Sequence, residues 1–154
     1  MFEKIKLTKY PPTKNILIWD GDCGFCKFWK TRWQQKTEGK VAFETYQNSS
    51  KKFSDIPLKE FKKASRLIEI DGKIYRGPDS AYRSLWHAGN KKWHQLYSSN
   101  HIFRNLSDNG YNHIAKNRSF YFKLTKILFG NNPLNLKPYW LIYLILLFAL
   151  IYAL

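Results

Sequence analysis

Cys23 and Cys26, the only cysteines of the chain, stand three positions apart in the stretch ILIWDGDCGFCKFW (residues 16–29). Such a pair can be an exchanging dithiol, half of a metal site, or two small core residues. At the start of a helix the first thiol meets free backbone N–H groups and the positive end of the helix dipole, and both favour thiolate. The second thiol, one turn further on, is placed to attack a mixed disulfide and release the product. This assigns Cys23 as the attacking sulfur, more reactive and more exposed than Cys26, the resolving sulfur. Asp20 closes the apolar run before the pair. It has two roles open to it: passing the proton that the thiols exchange, or accepting backbone N–H groups of the Asp20-Gly21 turn. Asp22, just ahead of the helix, reads as its N-cap.

A closed zinc site needs four ligands. No second Cys-x-x-Cys is present, and His87, His94, His101 and His113 lie far along the chain. They read as scattered surface or structural residues. The dithiol reading needs no metal and no organic cofactor.

The elements around the pair follow from pattern. Ile16 to Trp19 is a short apolar run that suits a buried strand. Phe25, Phe28, Trp29 and Trp33 recur at helical spacing, predicting a helix to about Lys36 that stops near Gly39. Val41 to Tyr46 alternates as a second strand, and Asn48 to Asp55 reads as a loop. Pro57 to Lys63 reads as a short helix with the proline in its first turn. RLIEIDGKIYRG reads as a hairpin turning at Asp71-Gly72, and a helix follows from Ser80 to about Gly89. Residues 91–129 are helical by pattern, with breaks expected near Ser98-Asn100 and Asn109-Gly110. Strands alternating with helices imply an α/β domain.

The length, 154 residues, suits one domain with a real core. The expected division is a basic lead over residues 1–14, a domain over 15–130 and an apolar tail over 138–154. The lead has no apolar centre, so no cleavable signal peptide is expected. A net charge of +15 favours anionic partners. Nucleic acid is disfavoured, because no recognition motif is present and the basic residues are spread along the chain. Tyr139 to Leu154 carries no charge and is apolar on every face. As a helix it is about 24 Å long, against roughly 30 Å for a bilayer core. With aromatics at its start and Lys116, Arg118, Lys123, Lys126 and Lys137 before it, it reads as a membrane anchor, a transmembrane helix of marginal length, that leaves the domain in the cytoplasm; the alternative is a buried C-terminal helix or an oligomer contact. RSFYFKLTKILF ahead of it reads either as an interfacial helix or as an ordinary packed helix.

DGDCGFC resembles the Asp-Gly-x-Cys-x-x-Cys signature of the DCC family of thiol-disulfide oxidoreductase-like proteins, with Asp20, Cys23 and Cys26 on its three naming letters. IDGKIYRGPDSAYRSL and YNHIAKNR, residues 111–118, resemble two later segments of that family. The resemblance implies a thioredoxin-like fold, here with extra C-terminal helices and a hydrophobic C-terminal helix. It also implies dithiol–disulfide exchange with a protein or a small-molecule thiol or disulfide. Thioredoxin-type folds usually carry a cis-proline before the third strand; here Ala64 or Ser65 takes that place. Arg118 is expected to be structural, tying the late helix to the domain through an acidic or carbonyl partner. The function expected is therefore a membrane-tethered thiol-disulfide oxidoreductase. The alternative is a membrane-associated binding or scaffold protein whose cysteines do not turn over.

Overall fold

The computed structural model describes residues 5–153. A four-stranded sheet in the order β2-β1-β3-β4 forms its centre. Strand β1 (Ile16–Trp19) pairs in parallel with β2 (Ala42–Thr45) and antiparallel with β3 (Arg66–Ile68), which pairs antiparallel with β4 (Ile74–Arg76). This mixed α/β arrangement is compatible with a thioredoxin-like fold.

Strand β1 is unbroken apolar sequence because both of its faces are covered. Ile16 and Ile18 join Phe53, Ile56, Phe61, Ile68 and Ile74 on one side, while Leu17 meets Val41 and Leu67 on the other. Helix α1 (Gly24–Thr37) lies on the Leu17 side, where the Lys30 ammonium sits over the Trp19 ring. Helix α4 (Pro78–His87) shares that side through Arg83, stacked over Tyr75. The opposite face is covered by α2 (Tyr46–Ser49) and α3 (Leu58–Lys63).

The remaining helices are α5 (Lys92–Ser99), α6 (His101–Lys116), α7 (Arg118–Phe129) and α8 (Tyr139–Ala153). Aromatic rings join them to the domain: Tyr82 of α4 packs on Trp93, Tyr97 and Phe103, and Phe28 of α1 on Phe122. These contacts use much of the aromatic content found outside the strands.

Several boundaries differ from the sequence reading. Asn48 to Asp55 is not simply loop, since α2 and a 3₁₀ turn (Ser50–Lys52) carry the chain from β2. The hairpin is wider than two residues. Glu69 N–H donates to Lys73 O and Gly72 N–H to Glu69 O, leaving Ile70, Asp71 and Gly72 as a three-residue loop. Gly72 takes the left-handed conformation that this loop requires (φ 82°). The expected break at Asn109-Gly110 is absent, because α6 runs through both residues. One helical glycine costs only about 1 kcal/mol, and the break comes at Asn117 instead. In the N-terminal lead, Leu7 bridges Lys73 and Thr8 N–H donates to Gly72 O, so the chain before β1 lies along the hairpin; residues 1–4 of that lead lie outside the described residues.

Helix α8 exists as an apolar helix and folds back against α7, but it has 15 residues. Among the described residues no helix is long and apolar enough to cross a membrane. The transmembrane span expected from the tail is therefore not supported, for the reason of length already visible in the sequence.

Two buried ionic groups hold the sheet to its helices. Arg66 and Glu60, both almost fully buried, pair at 2.6 Å, and the guanidinium also donates to the Glu60 carbonyl. Glu69 accepts from Arg83 Nε at 2.6 Å and lies 2.6 Å from His87 Nε2. Burial raises the Glu69 pKa, but the bonds from Arg83 and His87 outweigh it and hold the carboxyl below its ordinary 4.5.

Removing one member of a buried pair strands the other charge, at a cost of about 3–5 kcal/mol. Glu60→Gln is expected to lose that much in urea unfolding, and the joint Glu60→Leu, Arg66→Met variant to lose less. A loss below about 1 kcal/mol for Glu60→Gln would show the pair to be unimportant. Because the folded-state pKa of Glu69 is depressed, its contribution is present above pH 4.5 and lost as pH falls through the folded value. Denaturation midpoints measured against pH should fall less steeply on the acid side for Glu69→Gln than for the parent. Parallel curves would contradict this.

Candidate dithiol site

The site is built where β1 ends. Asp20 leaves the strand, Gly21 and Asp22 turn the chain, and Cys23 N–H donates to Asp20 O. Cys23 is the N-cap of α1: its backbone is extended (φ −93°, ψ 107°) and its sulfur accepts from Cys26 N–H at 3.1 Å. Cys23 and Cys26 are joined by a disulfide, with their Cα atoms 5.1 Å apart. Both are half-buried, so exposure does not separate them. What separates them is the cap, which gives Cys23 the N-terminal position and its donor.

Asp22 does not cap the helix. Its Oδ2 accepts from Gln47 Nε2 at 3.0 Å, and the sulfur of Cys23 takes the capping place. The Asp20 carboxylate does bind the turn, as one sequence reading proposed, with Oδ1 accepting from Asp22 N–H at 3.3 Å. It also takes two partners from remote elements: Gln47 Nε2 at 3.2 Å and Arg118 Nη1 at 2.9 Å. Arg118 thus has the acidic partner expected of it, and that partner belongs to the cysteine motif itself.

Gln47 and Tyr46 were not singled out in the sequence. Strand β2 runs parallel to β1 with Thr45 opposite Trp19, so the residues after Thr45 emerge beside Asp20 and Gly21. Gln47 Oε1 accepts from Gly21 N–H at 3.1 Å. Tyr46 is half-buried in the same corner; burial first, then the charges of Asp20 and Asp22, push its phenol above the ordinary value, with Arg118 opposing. Only the parallel pairing of the two strands, which the sequence of neither strand contains, brings them to the site.

Gly24, between the cysteines, is where α7 crosses α1. A Cβ there would lie 2.8 Å from Phe122 Cε1, so any side chain would push α7 away. Phe122 in turn carries the Lys126 ammonium 4.1 Å over its ring. On the other flank of β1, the residue ahead of β3 is Ser65. Its N–H donates to the Tyr111 hydroxyl at 3.1 Å, and its carbonyl accepts from Gly77 N–H. No cis peptide occurs among the described residues, including the Ala64-Ser65 position. Of the histidines, His87 and His94 are structural, against Glu69 and Asp79. Among the described residues no three His, Cys, Asp or Glu side chains lie close enough together to hold a metal ion.

A disulfide at the amino end of a helix, set at the carboxyl end of the central strand of a mixed sheet, defines a class: the Cys-x-x-Cys dithiol–disulfide proteins. Within that class, the family model of DCC1-like thiol-disulfide oxidoreductases matches residues 17–124, and the chain belongs to that family. No curated protein and no solved structure matches it.

The Asp20–Arg118 pair joins α7 to the turn and is only about one-fifth exposed. A double-mutant cycle of Asp20→Asn and Arg118→Ala, read by thermal or urea unfolding, is expected to give a coupling of about 1–2 kcal/mol. Additive losses would show that the two side chains act independently.

Proposed function

We propose that this protein is a thiol-disulfide oxidoreductase in which Cys23 attacks and Cys26 resolves. The observation that carries the reading is the Cys23–Cys26 disulfide at the N-cap of α1, within a chain of the oxidoreductase family. In the reduced form the Cys23 thiolate is stabilised by Cys26 N–H and by the helix dipole. It attacks one sulfur of a substrate disulfide and forms a mixed disulfide, and the other substrate sulfur leaves as thiolate. The Cys26 sulfur then attacks Cys23 Sγ, expels the second substrate thiolate and closes the intramolecular disulfide. The enzyme gives up two electrons and the substrate gains two; with a more reducing dithiol the steps run backwards. Asp20 holds the turn through Asp22 N–H, Gln47 and Arg118, and its carboxylate is the nearby candidate for proton transfer.

We further propose that α8 rests in a membrane interface, with the cysteines on the cytoplasmic side. Support comes from the exposed apolar surface of α8, where Ile145 and Phe148 are each 67% exposed, and from the lysines of α7 ahead of it. A helix of about 22 Å fits an interfacial or one-leaflet position better than a span.

A Cys26→Ser variant is expected to accumulate mixed disulfides through Cys23 in cells, recoverable on non-reducing gels, whereas Cys23→Ser accumulates none. The reverse pattern would exchange the two roles. Flotation with anionic liposomes is expected to recover the full chain and to lose it when residues 139–154 are removed. A full chain that stays monomeric and unbound without detergent would contradict the membrane reading.

A further inference from the structure

Three side chains of the α6–α7 region converge on the end of the sheet that carries the disulfide. Tyr111 holds the backbone N–H of Ser65, Arg118 holds the carboxylate of Asp20, and Phe122 sits on Gly24. The antiparallel register places Arg66 opposite Ile18, so Ser65 stands at the end of β3 that lies beside the exit of β1.

An extended polypeptide docks by adding backbone hydrogen bonds to groups that a sheet leaves free. Beside the disulfide, where the inner strands β1 and β3 end, the groups at Ser65 and Gly21 are already engaged within the chain. Ser65 N–H is bound by Tyr111 and Ser65 C=O by Gly77 N–H, while on the β2 side Gly21 N–H is bound by Gln47. A polypeptide would have to break these bonds, part-buried at Ser65 and exposed at Gly21, before it could make its own, which opposes the exchange. The half-buried sulfurs themselves remain partly exposed, with Phe122 lying against Gly24 between them.

We propose that the partner of Cys23 is a small-molecule thiol or disulfide and not an extended polypeptide, with Tyr111 as the specificity-determining residue. The proposal rests on the reading of Cys23 and Cys26 as an exchanging pair and adds the class of substrate to it. The reaction is one dithiol and one small disulfide, R–S–S–R, going to the Cys23–Cys26 disulfide and two R–SH. One S–S bond is broken and one formed, two electrons pass from protein to substrate, and the two thiol protons end on the released thiols. An external dithiol returns the protein to its starting state.

The test uses the full chain, reduced and freed of reductant. Its oxidation is followed by alkylation and mass with two probes: bis(2-hydroxyethyl) disulfide and the interchain disulfides of insulin. Each rate is divided by the rate at which dithiothreitol alone reacts with the same probe. The enhancement is expected to be about tenfold or more larger for the small disulfide, the worth of one to two backbone hydrogen bonds. An equal or larger enhancement with insulin would overturn the proposal while leaving the exchange reading intact. Reaction with neither probe would overturn the exchange reading itself, and the proposal with it. Tyr111→Phe removes the acceptor of Ser65 N–H and keeps the ring against Gly77. It is expected to raise the insulin-to-small-disulfide ratio about fivefold, and an unchanged ratio would remove Tyr111 from the role.

Discussion

The carboxylate of Asp20 ties together elements that are otherwise distant in sequence. It closes the turn that delivers Cys23 to the helix start, accepts from Gln47 just beyond β2, and pairs with Arg118 at the head of α7. Several donors satisfy the carboxylate oxygens in a partly buried corner, where an unpaired carboxylate would be costly. The consequence is geometric. Through Arg118 this group links the turn that carries the disulfide to α7. Gly24 is the steric counterpart, because Phe122 can rest on the cysteine turn only where no Cβ intervenes.

What was legible in the sequence was local. The Cys-x-x-Cys spacing, the apolar run of β1 and the glycine stop after α1 follow from short-range chemistry, and β1 occupies the residues expected of it. The misreadings have physical causes. Asp22 was expected to cap α1 because a carboxylate is the usual acceptor there, yet the Cys23 sulfur already fills that place. Gly110 was read as a break, but a helix held by its neighbours tolerates one glycine. The hairpin was read as two residues at Asp71-Gly72, and the left-handed Gly72 closes a loop of three instead.

The remote half of the site was legible only as a demand for a partner. Arg118 was expected to meet an acid or a carbonyl, and 98 positions separate it from the acid it meets; no local pattern names such a pair. Gln47 and Tyr46 depend on β2 running parallel beside β1, a relation between two strands that neither contains alone. Charge shows the same division between composition and place. Much of the limited acidic complement is engaged, with Asp20, Glu44, Glu60, Glu69 and Asp71 in ion pairs and Asp79 hydrogen-bonded to His94. The excess of basic residues is therefore left largely to the surface.

That Cys23 and Cys26 act as one reversible two-electron unit is the claim on which the rest stands. It is tested most directly by equilibrating the full chain in graded mixtures of reduced and oxidised dithiothreitol, quenching in acid, alkylating, and weighing the products. The account predicts that only the doubly alkylated and the unalkylated protein are present, exchanging in a single step and reaching the same ratio from either side. A substantial singly alkylated population, or two thiols that stay fully reduced in every mixture, would contradict it.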